Sequence, residues 1–83
     1  MPFIINKQNL SDLGKIILYH RKKGNFSRSE LADMAGVGQT VIYEVEKGKI
    51  TIRSEIMFKI LDALNIRIAL TSPFIDEYKE RNQ

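Results

Sequence analysis

Ser27-Arg28-Ser29-Glu30 is a complete capping box, and Gly36 stands close behind it. In such a box the Ser27 hydroxyl accepts from the Glu30 amide while the Glu30 carboxylate reaches back to the Ser27 amide, which fixes a helix start. Gly36 adopts without strain the left-handed conformation that ends a helix, so the segment has only about two turns. An isolated helix shorter than ~12 residues is marginal in water, and this one must therefore be held between neighbours. Its apolar face of Leu31, Ala32, Met34 and Ala35 is small, as a close helix crossing requires.

A second short helix follows almost at once. Val37, Val41, Ile42 and Val45 form its apolar face, leaving Gln39, Thr40, Tyr43, Glu44 and Lys47 on other faces until Gly48 closes it. Read alone, Thr40-Val41-Ile42-Tyr43 favours a strand, and the apolar spacing and flanking glycines decide for a helix. Two short helices pivoting on a glycine describe a helix-turn-helix.

The flanking segments supply the rest of the bundle. Asn9 is a good N-cap for a first helix with Leu10, Leu13, Ile16, Ile17 and His20 at helical spacing, closed by Gly24-Asn25. Arg21, Lys22 and Lys23 fill its last turn, where cations meet the negative end of the helix dipole. A fourth helix covers roughly Ile52 to Leu64 on the stripe Met57, Ile60, Leu61 and Leu64. The period then falls to two: Ile66, Ile68 and Leu70 alternate with Arg67, Ala69 and Thr71 until Pro73 ends any strand. A lone strand cannot satisfy its backbone and needs a partner, either the N-terminal Phe3-Ile4-Ile5 or a second copy of the chain, of which the second copy is preferred. The chain thus divides into an arm (1–8), a helical domain (9–65), a dimerisation strand (66–72) and a polar tail (73–83).

Eighty-three residues allow one small domain, and 43% apolar with 28% charged residues places it in the globular range. No cysteine is present, which removes disulfides and thiolate metal sites and fits a reducing cytosol. No stretch approaches the ~18 apolar residues of a membrane helix, and the N-terminus lacks a signal pattern, so a cytoplasmic, nucleoid-associated protein is expected. Thirteen bases face ten acids, and without the tail eleven face seven; the helical part is mildly basic. Catalysis is disfavoured: there is no glycine-rich phosphate loop, no metal-ligand spacing and no nucleophile beside a histidine, and Ser27 and Ser29 are explained by the capping box. No cofactor is expected.

Arg21, Gly24, S-R-S-E-L-A at 27–32, Gly36-Val37, Ile42, E-K-G at 46–48 and F-K-I-L-D-A-L at 58–64 together resemble the Xre/Cro repressor family. The resemblance spans residues 10 to 64. It implies an all-α, lambda-repressor-like bundle of four to five helices, with the third helix in the DNA major groove. It also implies roles by position. Arg28 stands where the family usually has Gln and would bind a phosphate with help from Ser27 and the helix N-terminus. Gln39 would read adenine bidentately, Thr40 a thymine methyl or a phosphate, and Tyr43 a sugar, methyl or phosphate. Lys47 and Lys49, with Arg53, would follow the backbone. Gly38 replaces a polar residue and would let the backbone approach DNA closely. Glu46 would pair internally with Arg21, while Glu44 stays exposed. His20 stands at a usual Leu position and is expected to be a packed core residue; Leu18 and Tyr19 mark a partner surface or packing.

The strand after the fourth helix is similar to that of the HipB-type antitoxins, in which such strands from two subunits pair across a homodimer. Ile66, Ile68 and Leu70 would then face the helices. The resemblance implies an autoregulating repressor on double-stranded DNA, bound to a palindromic operator, and neutralisation of a HipA-like, kinase-like toxin. The alternatives are a phage-type or stand-alone regulator without a toxin, or a helix-turn-helix devoted to protein contacts. The outward face of the third helix is polar and lacks Leu, Met or Phe anchors, which favours DNA.

Overall fold

The structure, a computed structural model, describes residues 1–82. They form five helices, α1 (Asp12–Lys23), α2 (Arg28–Ala35), α3 (Gln39–Glu46), α4 (Ser54–Ala63) and α5 (Ile75–Arg81). α2 packs on both α3 and α4, and α1 packs on α3. Ile17 of α1, Leu31, Ala32 and Ala35 of α2, Ile42 and Val45 of α3, and Ile60 and Leu61 of α4 meet in one buried cluster. Burying each large aliphatic side chain contributes about 1.5 to 3 kcal/mol, which holds helices too short to stand alone.

Helices α1 to α4 stop in one way. A residue of positive φ follows each, Asn25, Gly36, Gly48 and Asn65 in turn. The next amide then folds back onto the last turn: Phe26 donates to the Arg21 carbonyl, Val37 to Ala32, Lys49 to Glu44 and Ile66 to Leu61, at 2.9 to 3.0 Å. Glycine and asparagine are the residues that tolerate this conformation, so each stop is written at a single position. The same fold-back draws Val37 and Ile66 onto the core.

Several expectations are corrected. Asn9 does not cap α1: its side-chain oxygen accepts from the Asn6 amide at 2.7 Å and its amide nitrogen donates to the Ile4 carbonyl at 3.0 Å, fastening the arm. The chain enters α1 through three-residue turns, with Asp12 donating to the Asn9 carbonyl and Leu13 to Leu10, and the helix proper begins at Asp12. His20 is not in the core but exposed, its Nδ1 2.7 Å from the Ile16 carbonyl oxygen. The inward face of α1 carries Gly14, Ile17 and Arg21, and Arg21 takes the last buried place on that face.

No strand forms among the described residues, because a strand requires a partner and the described chain offers none. Of the three alternating residues Ile66 alone packs on the core, whereas Ile68 and Leu70 are 49% and 76% exposed. The tail after Pro73 contains α5, which has no buried residue. No helix among the described residues is long and apolar enough to cross a membrane.

Candidate nucleic-acid interface

The capping box sets the entrance of α2. The Ser27 hydroxyl oxygen accepts from the Glu30 amide at 3.0 Å and the Ser27 amide donates to Glu30 Oε1 at 2.8 Å. Gly36, at φ 72°, then turns the chain into α3 after a single intervening residue and its N-cap, Gly38. Because Ile42 and Val45 face the core, the opposite side of α3 faces solvent: Gln39, Thr40, Tyr43 and Lys47 are all exposed. A Cβ on Gly38 would meet nothing within 4 Å, so the amino end of α3 stands open.

Beneath this face lies a three-residue charge network. The Glu46 side chain is 1% exposed and receives two guanidinium groups. Arg21 donates through Nε to Oε2 at 2.6 Å and through Nη2 to Oε1 at 3.2 Å, and its Nη1 donates to the Phe26 carbonyl at 2.8 Å. Arg28 donates through Nε to Oε1 at 2.8 Å. Burial alone would raise the Glu46 carboxyl, but the hydrogen bonds and charges of Arg21 and Arg28 outweigh it and hold the group below its ordinary value of 4.5. One carboxylate thus ties together α1, the start of α2 and the end of α3. Every buried side-chain polar atom among the described residues has a partner, the condition under which such a pair is tolerable.

Arg28 also reaches the surface. Its guanidinium carbon lies 5.2 Å from the centre of the Tyr43 ring, and the Lys47 ammonium lies 5.3 Å from the same centre. Both distances fall within cation–π range, where an exposed contact contributes about 0.5 to 1 kcal/mol. Among the described residues the Arg28 terminal nitrogens make no hydrogen bond, and the Lys47 ammonium has neither a hydrogen-bonding nor an ion-pair partner. Lys49 differs: its ammonium is 3.3 Å from Glu44, which is half-buried rather than fully exposed. Arg53, the N-cap of α4, pairs loosely with Glu55 at 3.5 Å.

The face therefore gathers Ser27, Arg28, Gly38, Gln39, Thr40, Tyr43 and Lys47 around the α2–α3 corner, while Lys49 is engaged with Glu44. Two features have no local signal in the sequence. The second arm of the Glu46 network, from Arg28, is a contact between residues far apart in the chain. Gly14 lies where α1 crosses α3, with no room for a Cβ beside the Val45 carbonyl; its place on the stripe between Leu13 and Ile17 is the only pointer to it.

A helix-turn-helix family pattern matches residues 17–70. An uncharacterized HTH-type transcriptional regulator, y4mF, of Sinorhizobium fredii is 33% identical over 63 residues, covering 76% of this chain and 83% of that protein. A chain of a HipA-HipB-O2-O3 complex superposes with a TM-score of 0.74 at 23% identity, covering 88% of this chain and 99% of its own. A chain of a HipB-O1-O2 complex gives 0.73 at 24% identity, with 87% and 100% covered. These two likenesses concern the fold. With the family pattern covering most of its length and a curated relative across three-quarters of it, the chain belongs to the helix-turn-helix family of Xre type.

Proposed function

We propose that this chain is a sequence-specific DNA-binding transcriptional repressor that acts as a homodimer on a palindromic operator. The observation that carries the reading is the exposed face of α3. Its amino end is open, Gln39 and Thr40 offer hydrogen-bonding and methyl groups, and two cations flank the same helix: Lys47, with no ion-pair partner among the described residues, and Arg28, whose Nε is held by Glu46 while its guanidinium lies over Tyr43 at the surface. Base edges are read by groups of the first kind and phosphates by the second. Gln39, near the start of α3, would read adenine, while Ser27, Arg28, Thr40 and Lys47 would hold the backbone, with the Tyr43 ring beside Arg28 and Lys47. Lys49 would add a phosphate contact only by leaving Glu44.

Dimerisation rests on the 66–72 segment, whose exposed Ile68 and Leu70 side chains, and whose backbone between Ile66 and Ser72, suit pairing with the same segment of a second chain. A two-fold dimer would set two copies of α3 about one DNA turn, ~34 Å, apart, hence the palindrome. The likeness in fold to chains of HipB complexes supports the finer reading, an antitoxin that neutralises a HipA-like toxin and represses its own operon.

A promoter fusion carrying the region upstream of the chain's own reading frame tests the repressor reading. Expression of the chain should silence it, and Gln39→Ala should restore output; output indifferent to the chain contradicts self-repression. For the toxin, expressing the neighbouring reading frame should arrest growth and co-expression of this chain should relieve the arrest. Growth unaffected by the neighbour leaves a stand-alone regulator.

A further inference from the structure

Tyr43 is an exposed aromatic on a helix that otherwise presents small or polar groups outward, at 47% exposure, and two cations sit on it from different directions of the fold. Lys47 comes from the same helix one turn later, the spacing at which helical side chains meet. Arg28 comes from the first residue of α2 and is anchored at its Nε by the buried Glu46 carboxylate, 2.8 Å away. The ring therefore meets both a guanidinium held at its Nε by Glu46 and an ammonium that has no other ionic partner among the described residues. Without the ring, Lys47 would sample the full freedom of a long exposed side chain, and Arg28 would keep one anchor instead of two.

We infer that Tyr43 is a positioning residue whose ring pre-orders the Arg28 guanidinium and the Lys47 ammonium as a paired anchor for the nucleic-acid phosphate backbone, and that it reads no base itself. This rests on the DNA-binding reading above. Pre-ordering lowers the side-chain entropy lost on binding, so its effect is on affinity for any duplex and not on the choice of sequence. The ring supplies the effect and the hydroxyl is dispensable.

The test compares wild type, Tyr43→Phe, Tyr43→Leu, Lys47→Met and the Tyr43→Leu/Lys47→Met double variant. Two probes are titrated at low salt: a duplex from the region upstream of the chain's own reading frame, and a scrambled duplex of the same composition. Tyr43→Phe should bind both like wild type. Tyr43→Leu should weaken both equally, by about threefold to tenfold, and should cost less in the Lys47→Met background than in wild type, since half of what the ring holds is then gone. In the free protein, proton NMR should show the Lys47 side-chain resonances shifted upfield by the ring in wild type and Tyr43→Phe and returned to ordinary positions in Tyr43→Leu. Thermal melting should show every variant cooperatively folded, Tyr43→Phe like wild type and the others lowered by no more than the cation–π contacts they lose. A loss confined to one duplex, a loss on Tyr43→Phe equal to that on Tyr43→Leu, or unshifted Lys47 resonances in wild type would each overturn the positioning role. Wild-type protein that binds neither duplex overturns the DNA-binding reading and this inference with it, whereas wild-type binding with Tyr43→Leu unchanged overturns this inference alone.

Discussion

Gly14 on α1 lies so close to Val45 on α3 that a methyl group added to it would overlap the Val45 carbonyl oxygen. The obstacle is backbone, which cannot rotate aside as a side chain can. Gly14→Ala should therefore push α1 from α3 and destabilise the fold by about 1 to 3 kcal/mol, despite alanine's better helix propensity. Denaturant unfolding measures it; a variant as stable as wild type, or more so, would mean that the crossing is looser than the structure has it.

Glu46 makes a second prediction, with a pH sign. Its folded carboxyl is held below 4.5, so the stability its ionised form contributes is fully present above that value and is lost as pH falls through the lower folded value. Glu46→Gln leaves two guanidinium groups without a counter-charge, one of them buried, and should cost about 3 to 5 kcal/mol at neutral pH. The difference between wild type and variant should shrink on acidification below 4.5. A difference that stays constant down to strong acid would show that the carboxylate's charge is not what holds α1, α2 and α3 together.

Base reading and phosphate holding separate cleanly in two neighbouring variants. Gln39→Ala should lose about 1 to 3 kcal/mol at one base pair per half-site and leave nonspecific binding nearly intact. Lys47→Ala should weaken every sequence alike and lower the salt slope by about one unit. The check is a panel of single-base operator variants titrated at several salt concentrations. Equal losses on every sequence for Gln39→Ala would remove it as a base reader.

The 66–72 segment, exposed beyond Ile66, gives the fourth prediction. Ile68 is half-exposed in the single chain, so Ile68→Asp should fold normally. Placed in a paired strand at a dimer interface, the buried charge should weaken association by more than about tenfold. Sedimentation should find monomers where wild type gives dimers; dimers that persist would place the interface elsewhere.

Local chemistry made the middle of this fold legible. The Ser27 and Glu30 box and the positive-φ residues Gly36 and Gly48 mark α2 and α3 because each acts through bonds to residues a few positions away. Legibility failed where a residue's partner lay elsewhere in the fold. Asn9 has the chemistry of a cap, but its side chain is spent on Asn6 and Ile4. His20 continues an apolar spacing, but the buried place near the end of α1 goes to Arg21, drawn in by Glu46. Arg28 reads as a helix-start cation facing solvent, whereas its Nε is committed to Glu46 and its guanidinium to Tyr43. Strand-like alternation over 66–70 is a pattern for pairing, and pairing depends on a partner that one chain does not contain.

The central claim is that the α2–α3 face binds DNA by sequence. Fluorescence anisotropy of the purified chain against DNA upstream of its own gene, beside a scrambled duplex and at two salt concentrations, tests it most directly. The expected result is tighter binding to the upstream duplex, saturating at two chains per site, with affinity for both duplexes falling as salt rises. No binding to either duplex at low salt would contradict the claim.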